Sequence, residues 1–226
     1  MMADRRLKTH VKNKKLSKSS AAWIHRQLND PYVAKAHEMG YRGRAAFKII
    51  ELNQQFHFFK KGQRVVDLGA APGGWSQVAV KKVASTKENP MVFGIDLLPV
   101  NPLEGAEFIQ MDFLDEQAPE RLKEMMNGEA DIVMSDMAAN TTGTPAIDHL
   151  RIINLVEAGY IFATQVLKKG GWYIAKVFQG GTEGELLAEI KKDFEIVKHV
   201  KPNASRKESS EFYLVAKGFK CRNKEE

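Results

Sequence analysis

Four short apolar runs in this chain, Val65–Leu68, Met91–Ile95, Phe108–Met111 and Ala130–Met134, each close on or beside an aspartate: Asp67, Asp96, Asp112 and Asp136. A fifth run, Trp172–Val177, lacks the acid, while Phe194–Val200 and Phe212–Ala216 alternate apolar and polar residues as half-exposed strands do. Helical periodicity fills the gaps over Ala45–Phe56, Trp75–Val83, Ala118–Met126, Asp148–Leu167 and Gly184–Lys192, and Asp30-Pro31 breaks shorter helical pieces upstream. Leu167-Lys168-Lys169-Gly170-Gly171 is a helix stop, with cations on the last turn and glycine after it. Short buried strands alternating with helices require a mostly parallel sheet covered on both faces. About 10 residues separate the last two strands, too few for a right-handed crossover and ample for a hairpin. The expected fold is therefore α/β and Rossmann-like, a mostly parallel seven-stranded sheet with an antiparallel last strand and helices on both faces.

In such a sheet ligands sit outside the carboxyl ends of the strands. Aspartate is a common loop and cap residue, so one acid there carries no information. Four in successive strands mark an edge that receives a ligand. The first run opens into Gly69-Ala-Ala-Pro-Gly73-Gly74-Trp75, where Gly69, Gly73 and Gly74 allow close backbone approach and Trp75 is placed to shape a pocket. The loop feeds a helix N-terminus able to hold a carboxylate. Neither G-x-G-x-x-G nor a Gly-Lys-Ser/Thr phosphate loop is present, which argues against a nicotinamide oxidoreductase and against a pyrophosphate. Asp96 is placed to accept from both ribose hydroxyls of an adenosine, and Asp112 from the adenine amine. A nucleoside with a small zwitterionic tail fits, and S-adenosylmethionine is such a molecule.

The 226 residues, 43% apolar, suffice for one full domain over 20–219, with a basic arm at 1–19 and a short charged tail at 220–226. The arm is expected to be disordered without a partner. A net charge of +6 gathers in three clusters: Arg5 to Lys18 in the arm, Arg42 with Arg44, and Lys198, Lys201, Arg206 and Lys207. Three clusters in a small protein point to a polyanion, with Arg42, Arg44, Lys201, Arg206 and Lys207 as candidate RNA contacts. The single Cys221 excludes an internal disulfide and a cysteine-based metal site, and the histidines lack metal-ligand spacing. No run reaches a membrane-spanning length and the N-terminus lacks a secretory apolar core, so a cytoplasmic chain is expected. Nothing implies a protein partner, and a monomer is expected.

Longer blocks carry a resemblance. Asp67-Leu-Gly-Ala-Ala-Pro-Gly-Gly-Trp-Ser-Gln77, Ser135-Asp136-Met137-Ala138, Lys176-Val-Phe-Gln-Gly180, Lys201-Pro202, Ser205-Arg206 and Glu211 are similar to the FtsJ/RrmJ family of RNA ribose 2′-O-methyltransferases. The resemblance runs from about Ser19 to Lys217. It implies S-adenosylmethionine as cofactor and, as substrate, the ribose 2′-hydroxyl of a uridine in large-subunit (23S) ribosomal RNA, free or in the large ribosomal subunit. It also implies a catalytic Lys-Asp-Lys-Glu set, which falls on Lys48, Asp136, Lys176 and Glu211. Two positions depart from the family pattern: Ala139 stands where proline is usual, and Ala46 where an aromatic residue is common.

Methyl transfer from a sulfonium is an in-line displacement, so the protein must align two partners and help remove a proton from a ribose hydroxyl. Lys176 ends an apolar strand and enters the edge from a dry side. A dry lysine beside a second cation, Lys48, is the kind of group that takes up a proton, or it stabilises developing negative charge. Asp136 would orient Lys176 or face the methyl end of the cofactor, and Glu211 would fix a lysine or the hydroxyl. Plain alternatives exist for each: Lys48 on an exposed helix face, Asp136 as a helix cap, Glu211 as an edge-strand charge, Trp75 as core. The competing functions are a tRNA or cap ribose methyltransferase and a non-catalytic RNA-binding ribosome-assembly factor.

Overall fold

The computed structural model describes residues 24–25, 28–139, 143–178, 184–206 and 208–221. The basic arm at 1–19, Gln179-Gly180 of the lysine block, Lys207 and the tail from 222 onward lie outside the described residues. Helix α1 (Pro31–Glu38) begins where Asp30 caps it, its carboxylate accepting the Tyr32 N–H with proline at the first turn. Helix α2 (Ala46–Phe56) follows and leads to β1 (Val65–Leu68). Then come α3 (Gly74–Val83), β2 (Val92–Asp96), β3 (Ala106–Gln110), α4 (Ala118–Met126), β4 (Ala130–Ser135), α5 (Pro145–Val166), β5 (Leu167–Phe178), α6 (Glu185–Asp193), β6 (Phe194–Val200) and β7 (Glu211–Phe219).

The strands form one seven-stranded sheet in the order β3-β2-β1-β4-β5-β7-β6. Strands β1 to β5 pair in parallel, and β7 lies antiparallel between β5 and β6, as the short last connection requires. Strand β5 starts earlier than the apolar run, because Leu167 already pairs with Ala130 and extended backbone continues through Gly170 and Gly171.

Strand alternation divides the apolar residues between two faces. Val66, Leu68, Phe93, Ile95, Val133, Tyr173, Ala175, Leu214 and Ala216 pack with α4, α5 and α6. Val65, Val92, Ile132, Met134, Trp172, Ile174, Tyr213 and Val215 pack with α2 and α3. Burying each of the Val, Leu, Ile, Phe and Met side chains among these contributes about 1.5–3 kcal/mol, so a one-residue register slip in any central strand would be prohibitive. Ala46 is fully buried where α2 meets α3, and a Cβ on Gly74 would stand 3.8 Å from its own Cβ. The small residue at position 46 suits that close helix approach.

Candidate active site

The carboxyl ends of β1 to β4 frame a cleft of about 330 Å³, within the size range of small-molecule sites. Its walls include Gly69 and Ala71 after β1, Asp96, Leu97 and Leu98 after β2, Met111 and Asp112 after β3, and Asp136, Met137 and Ala138 after β4. Gly69 has φ +78°, and a Cβ there would meet the Met137 backbone nitrogen at 2.9 Å, so only glycine lets the two loops close together. Asp96 ties its neighbourhood: Oδ2 accepts the Ala71 N–H at 2.9 Å and Oδ1 the Leu98 N–H at 2.8 Å. Each carboxylate oxygen can accept more than one bond, so Asp96 keeps capacity for hydroxyl donors of a ligand.

Asp67 does not reach this edge. Its position on β1 turns it toward α3, where it is fully buried and accepts a 2.6 Å bond from the Ser76 hydroxyl. Burial pushes its carboxyl up to about 7, only partly offset by the Ser76 hydrogen bond, and the nearby charges of Asp136 and Asp96 add to the rise. The acid that closes the first run is therefore a strand-to-helix tie, and the ligand edge carries Asp96, Asp112 and Asp136.

Lys48, Asp136, Lys176 and Glu211 come together. The reason lies in strand parity: Lys176 follows Trp172 and Ile174, Asp136 follows Ile132 and Met134, and Glu211 precedes Tyr213 and Val215, all on the face that α2 covers. Lys48 projects from α2 onto this face and is 9% exposed, against 8% for Lys176. The Lys176 ammonium donates to the Asp136 carbonyl at 2.6 Å and pairs with Asp136 Oδ1 at 3.2 Å. Lys48 Nζ lies 2.8 Å from Glu211 Oε1, donates to Oε2 at 2.9 Å, and stands 3.9 Å from Asp136 Oδ1. Burial alone would raise the Asp136 carboxyl, but Lys176, Lys48 and a hydrogen bond from Tyr213 bring it below the ordinary carboxylate value. The arrangement holds two ammonium groups against two carboxylates in a largely dry place, suited to moving a proton and to stabilising an oxyanion.

Two members of this cluster escaped the sequence reading. The Tyr213 hydroxyl donates to Asp136 Oδ1 at 2.8 Å, and its ring lies under Lys48 and beside Trp75. Burial raises the phenol well above its usual range, with Asp136 and Glu211 adding to the effect. Ser205 donates to Glu211 Oε1 at 2.8 Å. The signal for Tyr213 was available, since it stands two residues from Glu211 on one strand and so shares its face. Ser205, in the β6–β7 connection, stands in one of the quoted sequence blocks, which assigned it no role.

Other candidates have different surroundings. Gly73, Gly74 and Trp75 are outside the cleft walls. Trp75 is 3% exposed in the core under α2 and donates its indole N–H to the Ala45 carbonyl. The candidate RNA contacts are engaged within the protein. Arg42 donates to the carbonyls of Pro72, Asn101 and Pro102. Arg44 pairs with Asp30 at 3.1 Å and donates to the Ala204 carbonyl, and Arg206 reaches the same Asp30 oxygen at 3.5 Å. Lys201 donates to the Ser209 carbonyl at 2.6 Å and lies over the Phe212 ring. Arg44 and Arg206 thus reach the helix cap Asp30, while Arg42 and Lys201 brace connections, roles that charge clustering does not disclose.

Comparison with known proteins bears on this geometry. The family described as FtsJ-like methyltransferase matches residues 41–219. A ribosomal RNA large subunit methyltransferase E of Azorhizobium caulinodans is 58% identical over 217 residues, covering 96% of this chain and 90% of its own. The protein of that name from Brucella canis is 54% identical over 215 residues, covering 93% and 90%. Among solved structures, one described as a ribosomal RNA methyltransferase from Plasmodium falciparum superposes with a TM-score of 0.70 at 33% identity, covering 80% of this chain and all of its own. With matches that span both the cleft and the lysine–carboxylate cluster, the chain belongs to the FtsJ-like methyltransferase family.

Proposed function

We propose that the chain transfers a methyl group from S-adenosylmethionine to the ribose 2′-hydroxyl of a nucleotide, a uridine, in large-subunit (23S) ribosomal RNA, with the ribosomal particle as substrate. The observation that carries the proposal is the double position of Asp136. It lines the cleft and also contacts Lys176, Tyr213 and, at longer range, Lys48. A methyl donor and a hydroxyl acceptor meet at such a junction. The names of the relatives support ribosomal RNA as the acceptor, and a cytoplasmic location follows from that substrate.

In this reading Gly69, Asp96 and Asp112 hold the cofactor, which supplies a methyl group already activated by sulfonium sulfur. Asp96 accepts from ribose hydroxyls with the capacity its two backbone bonds leave. Lys176 Nζ, held by the Asp136 carbonyl and carboxylate, stabilises the negative charge that develops on the 2′-oxygen as its proton leaves to water. Asp136 stays ionised and keeps the lysine aimed. Glu211 holds Lys48, whose charge sits at the other side of Asp136.

The arm at 1–19 would supply phosphate contacts together with Arg42, Arg44, Lys201 and Arg206. Removing residues 1–18 is expected to weaken RNA binding and flatten its dependence on salt, because fewer counterions are released; unchanged affinity and slope would reject that role. The function itself is tested by supplying labelled S-adenosylmethionine with ribosomal particles or total RNA and mapping the label. Label on a base, or on no large-subunit nucleotide, would refute the proposal.

A further inference from the structure

We infer that Arg42 is a positioning residue for the methyl donor: its guanidinium clasps the two loops that wall the cleft and ties them to the helix that carries Lys48. The inference rests on the cofactor reading above.

Arg42 Nη1 donates to the Asn101 carbonyl at 2.7 Å and the Pro72 carbonyl at 3.2 Å, and Nη2 donates to the Pro102 carbonyl at 2.6 Å. Pro72 belongs to the glycine loop after β1, and Asn101 and Pro102 to the connection after β2. That connection is thus tied to the glycine loop twice. Asp96 joins Leu98 to Ala71 at its base, and Arg42 joins Asn101 and Pro102 to Pro72 at its tip. Between the ties stand Leu97 and Leu98, cleft-wall residues that are 61% and 64% exposed. Little packing holds these leucines, so the ties on their backbone set the shape of that wall.

The guanidinium also packs directly on the glycine loop: a Cβ on Gly73, whose φ of +104° itself favours glycine, would lie 2.5 Å from Arg42 Nη1. The far end is fixed as well. The Arg42 N–H donates to Gln77 Oε1 at 2.7 Å, and Gln77 Nε2 donates to the Gly40 carbonyl at 3.1 Å. A few residues later the chain enters α2, which delivers Lys48. One side chain therefore indexes the donor cleft to the acceptor cluster. A planar fork can span several carbonyls; a lysine ammonium, a point charge on a flexible stem, cannot.

The test uses the full chain and the Arg42→Lys and Arg42→Ala variants, measuring S-adenosylmethionine binding by calorimetry, KM for each substrate, and kcat. Loss of preorganisation in the cleft predicts about tenfold or greater weakening of S-adenosylmethionine in both variants. In Arg42→Lys the KM for RNA and its salt slope should stay near the parent's. A phosphate contact alone predicts the reverse: lysine works nearly as well as arginine, alanine raises the KM for RNA and reduces the salt slope by about one, and cofactor affinity does not move. That result would overturn the inference. So would parallel loss of both ligands with a lowered thermal midpoint, which marks a residue that only holds the fold. A parent that binds S-adenosylmethionine while both variants bind equally well overturns the inference alone; a parent that does not bind it overturns the cofactor reading too.

Discussion

Asp67 and Asp136 are both aspartates at the ends of neighbouring strands on one sheet face, and their carboxyls shift in opposite directions. Asp67 has Ser76 as its partner, and its Oδ1 has none among the described residues, so burial dominates and the carboxyl rises to about 7. Asp136 receives Lys176, Lys48 and Tyr213, which outweigh burial and bring it down. The contrast extends to the regions around them. The proposed donor side, at β1 to β3, is built from backbone turns, glycines and loop ties around an open cleft. The proposed acceptor side, at β4, β5 and β7, is built from paired side chains in a dry cluster. A cofactor must enter and leave, and an open wall permits it; a proton must be handled at a fixed place, and a pre-paired cluster fixes it.

The largest test of this division is Lys176→Ala. Single-turnover methyl transfer should fall about 1,000-fold, in the range of positioned proton-transfer groups, while equilibrium binding of S-adenosylmethionine stays near the parent value. Loss of cofactor binding in step with turnover would erase the boundary between the sides. Asp67→Asn probes the donor side through stability. The unfolded carboxyl ionises near its ordinary 3.8, whereas the folded one keeps its proton to about 7. The Asp67 contribution to parent stability is therefore largest below pH 4 and is lost as pH rises to 7. The asparagine variant lacks this slope, so the two should diverge by about 4 kcal/mol across that window, at 1.36 kcal/mol per unit. Urea midpoints at pH 4 and pH 8 measure it, and parallel curves would mean that Asp67 is ionised in the fold.

Asp136→Asn strikes the residue that both sides share, and should lower turnover about 100-fold while also weakening S-adenosylmethionine severalfold. An effect on turnover alone would move Asp136 wholly to the acceptor side. The smallest effect is expected from Ser205→Ala, which removes one bond to Glu211 and leaves the ion pair with Lys48. At about 1 kcal/mol for that bond, kcat should drop roughly fivefold with the KM for S-adenosylmethionine unchanged. A shift in that KM would show that the Glu211 end reaches the cleft.

The sheet was legible because its strands obey two simple rules, apolar runs of strand length and helix stops between them. The four charged residues were legible through long sequence blocks, and their meeting follows from parity, which puts Lys176, Asp136 and Glu211 on one face. Charge patterning did not disclose the intramolecular partners of Arg42, Arg44, Lys201 and Arg206. A cation's sequence neighbours do not reveal whether a carbonyl or carboxylate from elsewhere in the chain stands within reach, and Arg42 finds its partners 30, 59 and 60 residues away. The same limit hid the bond from Ser205 to Glu211 and the indole bond from Trp75 to the Ala45 carbonyl.

The antiparallel insertion of β7 has a consequence for the making of the protein. Glu211 and Tyr213 are supplied by β7, which follows β6 in sequence yet lies between β5 and β6 in the sheet. A chain emerging from synthesis up to β6 holds two buried-to-be lysines against a single carboxylate, and β5 presents an unpaired edge. Docking of β7 closes that edge, adds the second carboxylate and brings in the phenol in one step. The event that completes the sheet thus also balances the charge of the lysine–carboxylate cluster.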